Sequence, residues 1–209
     1  MTKDELVKKF RVLGIDARVI SAFEKIKRED FCIEEYKNEA YEDTPLPIPA
    51  GQTISQPTTV VMMLDALELN ENDNVLEIGA GSGYNAALLG EICRKGKVVS
   101  IEFIKELADF AKENIRKSGL KNVKIVQADG TKGYPKDAPY TKIICTAAIP
   151  EIPQEWIGQL KENGIIIAPV GPQYTQTMIK LKKTKKGNEV TELGEFIFVP
   201  ARGEHGYNI

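Results

Sequence analysis

Apolar side chains recur at helical spacing at the start of the chain, first at Leu6, Val7, Phe10 and Leu13, then at Val19, Ile20, Phe23 and Ile26. This spacing predicts short amphipathic helices over residues 4–14 and 16–26, with Gly14 as the C-terminal cap of the first and Asp16 as the N-cap of the second. The periodicity then fails. Residues 29–56 carry Pro45, Pro47, Pro49 and Gly51, which predicts an extended, irregular segment, and its Phe31, Tyr36, Tyr41, Leu46 and Ile48 predict that it packs down. Pro57 suits the first turn of a helix whose apolar face holds Val60, Val61, Leu64 and Leu67.

Further on, apolar runs of strand length alternate with helical segments. Strands are expected at 74–79, 97–102, 123–127, 140–146 and 164–170, and helices at 84–94, 104–118 and about 153–161. Such alternation builds βαβ units with right-handed crossovers, hence an α/β fold with a mostly parallel, doubly wound sheet. After Pro172 it stops. Residues 177–181 and 191–200 flank the polar stretch 182–188 with no helix between them, which predicts a C-terminal antiparallel hairpin. A chain of 209 residues suffices for one sizeable core, so a single domain is expected over 1–209. Within it, 1–56 form the N-terminal helices and irregular segment, 57–172 the α/β core, and 173–209 the hairpin and tail.

Composition narrows the partners. With 42% hydrophobic and 28% charged residues, and apolar runs such as 164–170 too short to span a bilayer, nothing points to a membrane. The opening MTKDELVKKF lacks the apolar stretch and cleavage site of a secretory signal, so a cytoplasmic location is expected. A formal net charge of −2 weighs against a nucleic-acid partner, which calls for a basic stripe. Cys32, Cys93 and Cys145 lie far apart and outside any CxxC or Cys/His grouping, so free thiols and no metal are expected.

The chemistry concentrates in VLEIGAGSGY, residues 75–84. A strand carrying Glu77 runs into Gly79, Gly81 and Gly83, and glycines are needed where the chain turns sharply and a ligand approaches the backbone. Ligands of open α/β sheets sit at the carboxyl ends of the strands, where this loop lies. The nicotinamide fingerprint G-x-G-x-x-G fails because its third glycine position falls on Tyr84. The match is to E-x-G-x-G-x-G, the loop of the Rossmann-like class I methyltransferase fold, whose cofactor is S-adenosylmethionine. Glu77 can pair with the methionine ammonium, directly or through water. Glu102 ends the second strand about twenty residues past the glycines, where an acid accepts from both ribose hydroxyls. Asp129, in Ala128-Asp129-Gly130 after the third strand, can take the adenine amino group. Ser82, Asn85 and Gly130 complete the expected cofactor set. Alone, a glycine loop could be a tight structural turn; acids in register on successive strands make a nucleoside site.

Several further segments carry a resemblance: AYEDTPLPI at 40–48, PIPAGQTISQP at 47–57, the glycine loop through NAALL, ADG at 128–130, TAAIPEIP at 146–153, PVG at 169–171 and FVP at 198–200. Over nearly its whole length the chain resembles the protein-L-isoaspartate (D-aspartate) O-methyltransferases. The resemblance implies esterification of the free carboxylate of an L-isoaspartyl residue, or of a D-aspartyl residue, in damaged proteins and peptides. The ester closes to a succinimide and reopens in part as normal aspartate. Ser55 then corresponds to the active-site serine, and Thr53 and Ile54 to the wall between cofactor and peptide. Thr146, Ala147 and Ala148 end the fourth strand, and their small side chains leave room for the substrate. Relatives often carry alanine and histidine flanking the proline of this segment. Here Gln56 and Thr58 stand there, so no role for histidine carries over. A carboxylate, with a reference pKa of about 4, needs no general base at neutral pH. Catalysis would rest on alignment and the exclusion of water, which can lower a barrier by roughly 7–11 kcal/mol.

Blander readings stand beside these. Ser55, just before Pro57, also suits a helix cap. His205 in GEHGY reads as a solvated terminal residue, or as part of a tail that closes over the site. Lys182, Lys183, Lys185 and Lys186 read as the exposed tip of the hairpin, and Trp156 with Ile152 and Ile157 as an apolar helix face. A methyltransferase of RNA or a small molecule is the competing enzyme; the acidic balance opposes it, as does CTAAIP where base-nitrogen methylases carry Asn/Asp-Pro-Pro-Tyr. A cofactor-binding protein without activity is the other alternative, opposed by the three acids together with GQTIS.

Overall fold

The computed structural model describes residues 1–208. Helix α1 (Lys3–Val12) starts at a capping box in which Thr2 Oγ1 accepts from Glu5 N while the Glu5 carboxylate accepts from Thr2 N at 2.7 Å. Gly14, at φ 76°, lets the chain leave the helix. Asp16 caps α2 (Ala17–Lys25) by accepting from Arg18 N. The apolar stripes of the two helices face one another, and Phe10 meets Phe23 edge to face at 4.9 Å.

Part of the segment expected to be irregular is regular. After 3₁₀ turns at Arg28–Phe31 and Glu34–Glu39, strands β1 (Leu46–Ile48) and β2 (Gln52–Ile54) form a small antiparallel pair. Helix α3 (Pro57–Ala66) opens at Pro57, but Ser55 does not cap it: the N-cap is Gln56, whose side chain accepts from Thr59 Oγ1 at 3.3 Å and from no backbone N–H of the first turn. Asp43 does the capping from across the segment, accepting Thr58 N at 2.9 Å and Thr58 Oγ1 at 2.6 Å. The capping reading of Ser55 is thereby corrected, because Asp43 already satisfies the donor that a serine would serve.

The main sheet contains β3 (Asn74–Ile78), β4 (Lys97–Glu102), β5 (Val123–Gln127), β6 (Tyr140–Cys145), β7 (Leu160–Val170), β8 (Gln176–Thr184) and β9 (Gly187–Phe196), in the order β5-β4-β3-β6-β7-β8-β9. Pairings from β5 to β7 are parallel, whereas β7–β8 and β8–β9 are antiparallel. The chain winds outward from β3 to β5 and then returns to lay β6 on the other side of β3. At such a reversal the connections diverge above the strand ends and leave a crevice.

Alternation along the strands sorts the core into two faces. Val75, Ile144, Ile165 and Ile167 point toward α1–α3, α4 (Tyr84–Ile92) and α5 (Lys105–Ser118), while Leu76, Ile143, Ile166 and Ala168 pack with Trp156 on the other side. Trp156 belongs to α6 (Gln154–Gln159), and its Nε1 donates to Gly130 O at 3.0 Å, which ties that face to the turn after β5. The strand signal at 164–170 misses the start of β7, which follows α6 directly at Leu160. The hairpin strands also run further toward the tip than the polar stretch suggests. Lys182 and Lys183 therefore lie within β8, and Lys183 Nζ donates to the carbonyls of Ile157 and Leu160 at 2.7 and 2.9 Å. That part of the lysine run satisfies the end of α6 and is not a solvated turn. Among the described residues no helix is long and apolar enough to cross a membrane.

Candidate active site

A cleft of about 960 Å3, counting the part open to solvent, lies above the β3/β6 junction. Its floor is the loop leaving β3. Gly79 has φ 94°, and a Cβ there would sit 2.6 Å from Thr146 Oγ1. Only glycine fits, because Thr146 Oγ1 is itself fixed by donation to Gly79 O at 2.5 Å. Gly83, at φ 85°, is the left-handed N-cap of α4 and packs against the backbone of Ala111. Between them Gly81 N donates to Glu102 Oε2 at 2.9 Å, and Glu102 Oε1 accepts from Ile104 N at 3.0 Å. The acid ending β4 thus braces the glycine loop from the neighbouring strand and lines the cleft beside it.

Of the expected cofactor set, Gly79, Gly81, Ser82, Asn85, Glu102 and Gly130 line this cleft. So do Thr53, Ile54 and Ser55 from β2 and its exit, and Thr146 and Ala147 from the end of β6. The cofactor loop and the segment bearing Ser55 are therefore two walls of one space. The Ser55 hydroxyl has no hydrogen-bond partner among the described residues, while its carbonyl accepts from Arg28 Nη2 at 2.8 Å.

Other predicted residues stand behind the cleft. Glu77 is fully buried; its Oε1 accepts from Asn85 Nδ2 at 2.8 Å, and its Oε2 has no partner among the described residues. Burial pushes its pKa up to about 7, against the pull of the Ser100 and Asn85 side chains, with the nearby Glu102 charge adding to the push. Asn85, which does line the cleft, stands between this acid and the space above. Gly83 shapes the helix start, and Ala148 is buried under the tail, donating its N–H to Val199 O at 2.8 Å and accepting from Ala201 N at 2.8 Å.

Asp129 departs most from expectation. Its Oδ1 accepts from Thr131 N at 3.0 Å and Thr131 Oγ1 at 2.6 Å, and its Oδ2 accepts from Glu204 N at 2.9 Å. The carboxylate is turned to the C-terminal tail and does not line the cleft; its neighbour Gly130 does. Burial opposes its ionisation, but the hydrogen bonds from Thr131 and Glu204 outweigh that and hold its pKa below the usual value. His205 joins the same anchorage: its N–H donates to Thr131 Oγ1 at 3.2 Å and its ring meets Glu155 at 3.1 Å. It is a part-buried tether more than a solvated end.

Sequence reasoning missed several lining residues. Phe103 follows Glu102 directly and is 46% exposed, a large apolar ring left at the rim. Val199, Pro200, Ala201 and Arg202 reach the cleft because the tail folds back over the strand ends. An aromatic residue directly after a strand-end acid is a signal the sequence does carry. The tail carried none beyond FVP, since its path is set by backbone bonds to Ala148 and by Asp129.

The buried, half-satisfied Glu77, the glycine floor and the braced Glu102 fit S-adenosylmethionine, with its ammonium, nucleoside and ribose hydroxyls. Among known proteins, a family model described as protein-L-isoaspartate(D-aspartate) O-methyltransferase matches residues 1–206. The protein-L-isoaspartate O-methyltransferase of Methanoculleus marisnigri is 47% identical over 207 residues, covering 98% of this chain and 93% of its own. That of Methanococcoides burtonii is 44% identical over 204 residues, covering 97% of this chain and 100% of its own. A solved protein-L-isoaspartate O-methyltransferase superposes with a TM-score of 0.91 at 32% identity, over 98% of this chain and 67% of that one. A protein-L-isoaspartate O-methyltransferase structure from Plasmodium falciparum, in complex with S-adenosyl-L-homocysteine, gives 0.83 at 25% identity, over 95% and 97%.

Proposed function

The chain belongs to the protein-L-isoaspartate(D-aspartate) O-methyltransferase family, and we propose that it repairs damaged proteins by methylating the free carboxylate of L-isoaspartyl residues. The methyl donor is S-adenosylmethionine, and the description of the family extends the acceptors to D-aspartate. The product ester then closes to a succinimide and reopens in part as aspartate. The observation that carries this is the shared cleft, in which the glycine floor and Glu102 face the segment of Ser55.

When bound, S-adenosylmethionine supplies a methyl group activated by its sulfonium, and a carboxylate acceptor, with a reference pKa of about 4, has no proton to lose. What remains for the protein is to bind, orient and exclude water. Glu102 offers its carboxylate to the ribose, and Asn85, backed by Glu77, meets the ammonium end. Gly130 and the Phe103 ring bound the adenine end. Ser55, whose hydroxyl is unengaged, donates to one acceptor oxygen and leaves the other free to attack. Thr53, Ile54, Thr146 and Ala147 wall the acceptor side. The acidic balance of the chain supports protein and peptide acceptors over nucleic acid, and a cytoplasmic site of action fits damaged cytoplasmic proteins.

Incubation with methyl-labelled S-adenosylmethionine and paired peptides, one with L-isoaspartate and one with aspartate, tests this reading. Base-labile label on the first peptide alone is expected. Label on neither, with S-adenosylhomocysteine still bound in calorimetry, would sink it.

A further inference from the structure

The tail that closes the cleft carries one cation whose role is open. Arg202 lines the cleft together with Ala147 and Ser55, next to the Ala201 that is bonded to Ala148, its side chain is exposed, and it has no hydrogen-bond or ion-pair partner among the described residues. Its backbone, in contrast, is fixed from both sides. Before it, Ala201 N donates to Ala148 O at 2.8 Å; after it, Glu204 N donates to Asp129 and Tyr207 N donates back to Ala201 O at 3.1 Å. Gly203 is pressed so closely on Asp129 that a Cβ there would lie 2.1 Å from Oδ1. A guanidinium on a fixed base, uncompensated and facing a cleft, is placed to take an anion.

We propose that Arg202 binds the acceptor carboxylate, and so sets the affinity for the damaged peptide; this rests on the carboxyl-methylation reading above. The chemistry assigns it a ground-state role. Methyl transfer converts the carboxylate to a neutral ester as the C–S bond breaks and its electron pair stays on sulfur, so the anion that Arg202 holds disappears during the reaction. A cation there stabilises the bound substrate at least as much as the transition state, which lowers KM without raising kcat. It also loosens its hold once the ester has formed, which favours release of the product.

The test compares wild type, Arg202→Ala and Arg202→Lys with an L-isoaspartyl peptide in steady-state kinetics. It also measures binding of that peptide to the enzyme loaded with S-adenosylhomocysteine, and of S-adenosylhomocysteine alone by calorimetry. For Arg202→Ala we expect KM and the peptide Kd to rise about tenfold, the yield of one charge-assisted contact at a solvent-facing site. We also expect unchanged kcat and unchanged S-adenosylhomocysteine affinity. Arg202→Lys recovers part of the loss, and added salt brings the wild-type KM toward that of Arg202→Ala. An unchanged KM in an active Arg202→Ala enzyme overturns the proposal, as does a loss confined to S-adenosylhomocysteine binding, which would place the guanidinium on the cofactor's own carboxylate. A wild type that methylates no isoaspartyl peptide overturns the function reading itself, and this inference with it.

Discussion

Arg28 donates from Nη2 to the carbonyl of Ser55 at 2.8 Å, across 27 residues of chain and from a position with no solvent exposure. Its Nε donates to Ala40 O at 2.8 Å, and its cation lies 5.1 Å from the centre of the Tyr84 ring. One side chain therefore pins the segment bearing Ser55 to the first residue of α4. Arg28→Met leaves two carbonyls without their donor, at about 1–3 kcal/mol each, so urea unfolding should show a loss of roughly 2–6 kcal/mol. Turnover should fall too, because Ser55 loses its anchor. Arg28→Lys keeps the charge without the two-pronged geometry and should recover stability in part. A folded Arg28→Met protein with wild-type kcat would show that Ser55 holds its position unaided.

Ser55 itself has a hydroxyl with no partner among the described residues and a backbone held by Arg28. Ser55→Ala should therefore leave the fold intact and lower kcat by roughly 10- to 100-fold, the range for one hydrogen bond to a charged group. S-adenosylhomocysteine affinity by calorimetry should stay nearly unchanged. Equal losses of turnover and affinity would move Ser55 from the acceptor to the cofactor.

The fold was legible where periodicity is strong. The strands at 74–79, 97–102 and 123–127 and the helices at 84–94 and 104–118 were each found to within two residues at either end. The glycine loop was legible because positive φ and close approach leave no alternative to glycine at Gly79 and Gly83. What escaped depends on long-range pairing. Asp43 capping α3, Arg28 reaching Ser55 and Asp129 holding the tail join residues 15, 27 and 75 positions apart, and no local pattern announces such bonds. Asp129 shows the hazard best: its place at a strand end was read correctly, but where its carboxylate turns was decided by a tail seventy-five residues on.

Gly79→Ala should be damaging for two separable reasons. The residue sits at φ 94°, and the new methyl would meet Thr146 Oγ1 at 2.6 Å. Backbone strain and overpacking together predict a loss of about 2–4 kcal/mol in chemical denaturation. Combining it with Thr146→Ala removes the clash but not the strain, so the double variant should be more stable than additivity of the two single changes allows. Simple additivity would mean that the backbone strain alone carries the cost.

Asp129→Ala should release the tail. With the acceptor of Glu204 N gone, the amides of Glu204 and His205 should exchange with solvent faster, and protease should cut first within 202–206. The ionised carboxylate is the form that is held, and its pKa is lowered in the fold. Its contribution is therefore complete above the unfolded value of about 4 and is lost as pH falls through the lower, folded one. Unchanged exchange at Glu204 in the variant would mean that the Tyr207 and Ala201 bonds suffice to hold the tail.

Glu77 makes the opposite pH prediction. Its carboxyl is wholly buried with one oxygen unpartnered, and burial raises its pKa from 4.5 to about 7. The unfolded chain gives up this proton near pH 4.5 and the folded protein near pH 7. Between these values the folded state binds more protons, so stability falls as pH rises through that window and levels off above it. A shift of this size corresponds to about 3 kcal/mol. Glu77→Gln mimics the protonated form, so its advantage over wild type should be near zero at pH 4 and grow to about 3 kcal/mol by pH 8. The same change should weaken S-adenosylhomocysteine binding, because in the binding mode proposed above an uncharged side chain no longer backs Asn85 beneath the ammonium. In the wild type, a ligand ammonium arriving above Asn85 favours the ionised carboxylate, so binding near pH 6 should release a proton, read as a binding enthalpy that varies with the ionisation enthalpy of the buffer. Parallel stability curves for wild type and Glu77→Gln from pH 4 to 8 would show that Glu77 is already ionised in the free protein.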